Sequence, residues 1–303
     1  MSNLFDRYKS AQQKLYAKEG VSPVSKFVTT NGVVKNVHYL QVGRGKPLIM
    51  VHGGGGNTDQ WVNMIRHLQD HYTLYIVDRP GYGLTDAFNY RGVDFPAHCV
   101  AFLRSFMEAL GISNADFAAN SMGGYWVSLF AMKHPEMVNK IVFLGAPAGL
   151  DLKLPFFLRL LGTRGINDFL WATIAKPSLK GTRQLYQMLL VADAGRLSEE
   201  YIECGYIASI LPTYKEGWLT LLESITTLSG FRRSYFIGDK MFNVKQQVLF
   251  LWGAKDAFQS TEEGQQIAST MPAAKYITVP DAGHLPWLDQ PAYCAGEMIK
   301  FLD

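Results

Sequence analysis

Three residues of this chain could together make an activated nucleophile, and each falls just after a short apolar run. The first is Ser121, in Ala118-Ala119-Asn120-Ser121-Met122-Gly123-Gly124, which follows the run Ala115–Ala119 and opens a helical stretch starting Tyr125-Trp126. A serine on a sharp strand-to-helix turn exposes its hydroxyl if its neighbours are small enough for strand and helix to approach each other. Ala119 and Gly123 meet that need, with alanine where such turns usually carry glycine. The helix that begins beyond Ser121 also favours negative charge at the turn. The plainer reading of the same residues is a helix start with an N-cap serine. A serine needs a base, and the base needs an acid to orient it. The base is His284, in Val279-Pro280-Asp281-Ala282-Gly283-His284, just past the last strand-like run. The acid is Asp256, in Leu251-Trp252-Gly253-Ala254-Lys255-Asp256, with Asp151 second and Asp281 read as a turn brace. The remaining histidines read as structural: His52 in a loop, His38 in a hairpin, and His67, His71, His98 and His134 in or beside surface helices.

A fourth signal is Val51-His52-Gly53-Gly54-Gly55-Gly56, a glycine-rich turn after another apolar run. Backbone N–H groups in such a turn point into a cleft, so Gly54 (Gly53 second) and Met122 are expected to form an oxyanion hole. The turn lacks the Gly-Lys-Ser/Thr and G-x-G-x-x-G patterns of phosphate cradles. The expected chemistry is attack of Ser121 Oγ on an ester carbonyl, an acyl-enzyme, and hydrolysis by water that His284 activates. No metal or organic cofactor is implied. The aromatic residues near the site and in the segment after 148 (Trp61, Trp126 and Trp287 foremost) predict an apolar substrate pocket.

These residues need a scaffold that brings loop ends together. Apolar runs at Pro47–Val51, Thr73–Val77, Ala115–Ala119, Lys140–Leu144, Gln247–Trp252 and Lys275–Val279 do not alternate in polarity, as expected of strands buried on both faces. Helical stretches near 58–69, 95–110, 122–133, 260–271 and 291–302 lie between them, which predicts an α/β fold with a mostly parallel sheet. Lys26–Thr30 and Val33–Val42 flank Asn31-Gly32 and predict an N-terminal antiparallel hairpin. Leu4, Tyr8, Ala11 and Leu15 have helical spacing, so a helix packed on the body is expected there. The rhythm breaks over 148–243, which reads as a helical insertion, because a structureless loop of that length is implausible in a compact domain. The expected division is a core of residues 1–147 and 244–303 with the cap 148–243 inserted between core strands.

Composition narrows the function classes. With 29 Lys and Arg against 26 Asp and Glu, the net charge of +3 gives little overall attraction for nucleic acid or an anionic surface. The 48% apolar content excludes a disordered chain. Cys99, Cys204 and Cys294 form no CxxC pair, so neither a disulfide framework nor a zinc site is expected, and a reducing, cytoplasmic setting fits. No apolar window is long enough to span a membrane, and the first residues show no secretory signal. The expected partner is a small hydrophobic substrate, and oligomerisation is left open.

The chain order Ser121, Asp256, His284 resembles that of the α/β-hydrolase superfamily. Val77-Asp78-Arg79-Pro80-Gly81-Tyr82-Gly83-Leu84-Thr85 is similar to the family's D-x-P-G-x-G-x-S segment, with Thr85 in place of serine. The resemblance covers nearly the whole chain and implies a lid over the site. Serine at 121 disfavours the dehalogenase and epoxide-hydrolase branches. Asn120-Ser121-Met122-Gly123-Gly124 resembles the carbon–carbon hydrolases that cleave ring-fission products of aromatic compounds. Those enzymes carry Trp after the catalytic histidine, where this chain has Leu285, and a lid Arg, where it has Gly205, with Arg196, Arg232 or Arg233 as substitutes. An esterase of small hydrophobic substrates is therefore the first expectation; a C–C hydrolase, or an acyltransferase on the same three residues, is the alternative.

Overall fold

The computed structural model describes residues 2–303. Its strands are β1 (Val24–Thr29), β2 (Asn36–Gly43), β3 (Lys46–Val51), β4 (Tyr72–Val77), β5 (Ala115–Ala119), β6 (Val138–Leu144), β7 (Thr226–Thr227), β8 (Gly230–Phe231), β9 (Gln247–Gly253) and β10 (Ala274–Val279). Its helices are α1 (Ser2–Glu19), α2 (Val62–Leu68), α3 (Phe95–Ala109), α4 (Met122–Lys133), α5 (Phe156–Leu161), α6 (Ile166–Ala172), α7 (Leu179–Leu185), α8 (Glu199–Ser209), α9 (Pro212–Ile225), α10 (Thr261–Thr270), α11 (Pro286–Asp289) and α12 (Pro291–Leu302).

Eight strands form one sheet in the order β1-β2-β4-β3-β5-β6-β9-β10. β1 and β2 pair antiparallel, as do β2 and β4; every other pair is parallel. The unbroken apolar character of the strands now has its reason. Leu48 and Met50 of β3 enter one buried cluster with α1, α2 and α12, while Ile49 and Val51 enter a second with α3 and α4. A polar residue on either side would face a core. The N-terminal hairpin turns through residues 30–35, wider than Asn31-Gly32 alone, because Val34 is buried and Thr30 Oγ1 donates to its carbonyl at 2.5 Å.

The chain order reverses at β3, which has β4 on one side and β5 on the other. Loops leaving the carboxyl ends of such neighbours diverge and open a crevice. The Gly53–Gly56 loop follows β3 and Ser121 follows β5, so both lie at that crevice.

Helices α5–α9 fill the stretch between β6 and β9, with the short β7–β8 ladder that composition did not reveal. Helix α1 packs on the body as its spacing predicted, with Tyr8, Ala11 and Leu15 buried. It also joins the inserted helices to the core. Tyr8 (2.6 Å), Gln12 (3.0 Å) and Tyr16 (3.1 Å) of α1 and Cys204 of α8 (3.3 Å) all donate to the buried Asp59 carboxylate.

Two buried histidines set an acid limit on stability. His98 of α3 lies against Phe88, Tyr90 and Trp126, and burial, helped by the Arg79 charge, lowers its pKa to about 3. Burial, then Arg79, also holds His52 well below its usual value. Both are neutral in the fold but take up protons near pH 6.5 once unfolded. Their contribution is full above that pH and is lost as pH falls. Each should cost about 1.4 kcal/mol of stability per pH unit below about 6. Urea midpoints measured from pH 7 to 4 should show this slope, and His98→Leu should remove about one proton's share of it.

Candidate active site

β5 delivers Ser121 at φ 49° and ψ −115°. A non-glycine residue rarely adopts a positive φ, and holding one there costs on the order of 1–3 kcal/mol. The surroundings enforce it. The Ser121 carbonyl accepts from Tyr125 N (3.1 Å) and Ala148 N (2.9 Å), and Asn120 N donates to Val51 O (3.2 Å). A β-carbon at Gly123 would collide with the carbonyls of Val51 and His52, and one at Gly124 would lie 2.9 Å from Pro147. Ser121 holds the N-cap position of α4 but makes no side-chain cap bond, so its hydroxyl does not cap the helix.

His284 and Asp256 meet across the carboxyl ends of β9 and β10. His284 Nδ1 bonds Asp256 Oδ2 at 2.8 Å and Oδ1 at 3.0 Å. The carboxylate also accepts from Ala146 N (3.1 Å) and Phe258 N (2.9 Å). Burial would push its pKa up, but the His284 charge and these hydrogen bonds outweigh it and hold the carboxyl below the usual range. An ionised acceptor fixes the proton on Nδ1. That leaves Nε2 as the basic nitrogen, buried with no partner among the described residues. Ser121 and His284 line one cavity of about 700 Å³, although no hydrogen bond joins them. Asp151 lines the same cavity but takes its hydrogen bonds from Leu152 N and Lys153 N, not from His284.

Two side chains hold the His284 loop. Asp289 Oδ2 accepts from Gly283 N and Ala192 N, both at 2.9 Å. Asn120 Nδ2 donates to Leu144 O (2.5 Å) and His284 O (3.2 Å), tying the His284 loop to the serine turn. Asp281 pairs with Lys255 at 3.0 Å, the brace expected of it.

The glycine loop is set by Arg79. Its Nη2 donates to Gly53 O (2.6 Å) and Gly54 O (2.8 Å), while the guanidinium is buried between Tyr82 and Trp126. His52 Nδ1 donates to Gly53 O (2.9 Å) and its Nε2 accepts from Arg79 N (3.0 Å), so His52 is a loop brace. With both carbonyls occupied, the peptide planes are fixed. Gly54 and Met122 line the cavity, and their N–H groups donate to no group among the described residues. The sequence offered Arg79 only as part of a turn motif, and an arginine with no acid partner gave no further signal.

The expected tryptophan wall is a correction. Trp61, Trp126 and Trp287 are fully buried, and none lines the cavity. Trp61 stacks on Trp287 at 4.2 Å, Trp287 Nε1 donates to Gln60 O, and Trp126 packs on Arg79 and Phe102. They are large side chains filling the layer between sheet and helices. The aromatic wall comes from the inserted helices instead, through Trp171, Tyr214 and Trp218, with Phe156 and Phe157 at its edge. Gly205 also lines the cavity, whereas Arg196, Arg232 and Arg233 do not. Arg196 faces Asp193 and Asp289, and Arg232 donates to Ser224 O. Lys153 and Lys176 are the basic residues among the lining side chains.

Residues 46–291 match the alpha/beta hydrolase fold family, and the chain belongs to it. It is 30% identical over 275 residues to a 2-hydroxy-6-oxo-6-phenylhexa-2,4-dienoate hydrolase of Burkholderia cepacia, covering 87% of this chain and 91% of that one. Carboxylesterase CesB from Bacillus subtilis has the same fold, with a TM-score of 0.76 at 19% identity over 99% of this chain and 98% of that one. So does the 2-hydroxy-6-oxo-6-phenylhexa-2,4-dienoate hydrolase of Rhodococcus sp. strain RHA1, with a TM-score of 0.77 at 18% identity over 93% and 99%.

Proposed function

We propose that this chain is a serine hydrolase whose nucleophile is Ser121, whose base is His284 and whose orienting acid is Asp256. Residues 148–243 serve as its cap. The observation that carries this reading is the Asp256–His284 pair, which leaves an unpartnered Nε2 on the cavity that Ser121, Met122 and Gly54 also line. Ser121 Oγ adds to a carbonyl carbon while Nε2 takes its proton. The Met122 and Gly54 N–H groups receive the charge on the carbonyl oxygen. The intermediate collapses, the leaving group takes the proton from His284, and water deprotonated by His284 then hydrolyses the acyl-enzyme.

The sequence relatives favour cleavage of an acyl–carbon bond in a 2-hydroxy-6-oxodienoate over ester cleavage, and that becomes the leading reading. Carbon leaves at a useful rate only as a delocalised carbanion. Shifting the dienol to its keto form conjugates the departing carbon with a carbonyl, and His284 then supplies that carbon's proton. Such a substrate carries a carboxylate, and Lys176, which lines the cavity and makes no ion pair among the described residues, is our candidate to bind it. The ester reading stands second, supported by a cavity with no arginine in its lining.

A direct test compares kcat/KM on 2-hydroxy-6-oxo-6-phenylhexa-2,4-dienoate with that on a p-nitrophenyl ester. The dienoate should win by at least about 100-fold, equivalent to two good transition-state contacts. Lys176→Met should raise its KM about 10-fold and leave the ester's KM unchanged. A clear preference for the ester reverses the two readings. Adding a competing alcohol reports acyl transfer in the same assay.

Arg79 acts through the glycine loop, without touching substrate. Arg79→Met should lower kcat on the order of 10²-fold with KM little changed, because the Gly54 N–H then loses its fixed aim. Circular dichroism melting separates this from loss of fold.

A further inference from the structure

Five large apolar side chains belong at once to the cavity wall and to the solvent-exposed surface. They are Phe156 (61% exposed), Phe157 (38%), Ile174 (75%), Leu185 (44%) and Met188 (74%). A residue that does both stands at the mouth. Scattered exposed hydrophobes need no explanation, but a group around a single opening marks a contact surface. Ile166, Phe169 and Leu179, also exposed, fall in the same stretch of chain.

The charge of that stretch is equally uneven. Residues 153–190 contain Lys153, Arg159, Arg164, Lys176, Lys180 and Arg183, against Asp168 alone. Residues 191–243 carry five basic and seven acidic residues, so the near-neutral total conceals a basic segment. Lys153 pairs with Glu263 and Arg183 with Glu199. Arg159, Lys176 and Lys180 make no ion pair among the described residues, and Arg159 lies over the Phe156 ring; Arg164 lines a separate pocket beside Glu223.

Large apolar side chains interspersed with unpaired cations suit a surface that lies in a lipid headgroup layer. A second copy of this chain is a poorer occupant, because a two-fold contact would set one basic segment against another. We propose that the face built from residues 153–190 docks on an anionic phospholipid bilayer, with the cavity mouth against the lipid. This goes beyond the catalytic reading and does not depend on which bond is cleaved.

Flotation of the full chain tests it, using Ser121→Ala so that no turnover intervenes. The vesicles are phosphatidylcholine alone and equal parts phosphatidylcholine and phosphatidylglycerol. The protein should float with the mixed vesicles, not with phosphatidylcholine, and should be released by high salt. Arg159→Gln with Lys180→Gln should weaken partitioning about 30-fold at low salt, since each cation near an anionic surface is worth about 1 kcal/mol. Ile174→Ser with Met188→Ser should weaken it at least about 10-fold, from the loss of two buried apolar side chains. Melting curves confirm that both double variants are folded. The proposal falls if mixed vesicles do not bind, if both compositions bind equally, or if folded variants bind like the parent. It also falls if sedimentation shows a dimer that Ile174→Ser with Met188→Ser dissolves. Since the readout is binding, none of these outcomes bears on the triad.

Discussion

Ser121→Ala should reduce kcat about 10⁶-fold on whichever substrate is turned over, the scale of loss when a triad serine is removed from a hydrolase. Ser25→Ala should leave kcat unchanged. The comparison is informative because this fold contains the same three residue types twice. Ser25 Oγ lies 2.8 Å from His38 Nε2, and His38 Nδ1 lies 2.6 Å from Asp78 Oδ2. Judged by hydrogen bonds alone, that set is more complete than Ser121, His284 and Asp256. Its surroundings differ. Ser25 stands exposed on the edge strand β1, away from the cavity. Asp78 also accepts from Thr58 N and Leu84 N, so its carboxylate holds the loops that carry Arg79 and Thr85. Fluorophosphonate labelling followed by peptide mapping should therefore modify Ser121 and not Ser25. Labelling of Ser25 alone, or full activity in Ser121→Ala, would overturn the assignment.

The contrast between these two sets explains what could be read from the residues. Strands β3, β5, β6 and β9 were legible because burial on both faces removes alternation, which leaves short apolar runs ended by glycine or a polar residue; β10 lies at the sheet edge with Lys275 and Thr278 exposed, so the burial expected on both its faces is absent. The serine turn was legible because close approach of strand and helix demands Ala119 and Gly123. The Asp256–His284 pair followed from chain order and strand ends. The wall of the cavity was not legible. Trp61, Trp126 and Trp287 sit near the motifs in sequence, yet a large aromatic beside a buried strand has a core to fill, and these three fill it. The aromatic side chains that do line the cavity come largely from the stretch of helices α5–α9, whose mixed pattern gives no inside and no outside until they are packed. Arg79 was hidden for a related reason. Its partners are carbonyls, and a backbone acceptor leaves no trace in the residue types.

Asp256→Asn should lower kcat about 10⁴-fold while leaving the protein folded. Asp256 offers acceptors to three donors: His284 Nδ1, Ala146 N and Phe258 N. An asparagine keeps one acceptor oxygen and replaces the other with an NH2 group. Ala146 N donates to Oδ2 and Phe258 N to Oδ1, so the asparagine oxygen keeps one of them; with the oxygen kept at the Phe258 position, the NH2 group replaces Oδ2, donates to His284 Nδ1, and the imidazole proton moves to Nε2. The nitrogen that must take the Ser121 proton is then already protonated, so the base is lost through its tautomer and not its position. Proton NMR gives a readout that a purely structural defect would not move: the low-field His284 Nδ1–H signal should vanish in Asp256→Asn. Stability provides the sign check. The folded carboxyl lies below its usual range, so its contribution is present above the unfolded carboxyl pKa and is lost as pH falls through the folded one. The variant should accordingly lose stability relative to the parent at neutral pH, and the gap should close in acid. If kcat stays within about tenfold of the parent with the NMR signal gone, Asp256 does not orient the base.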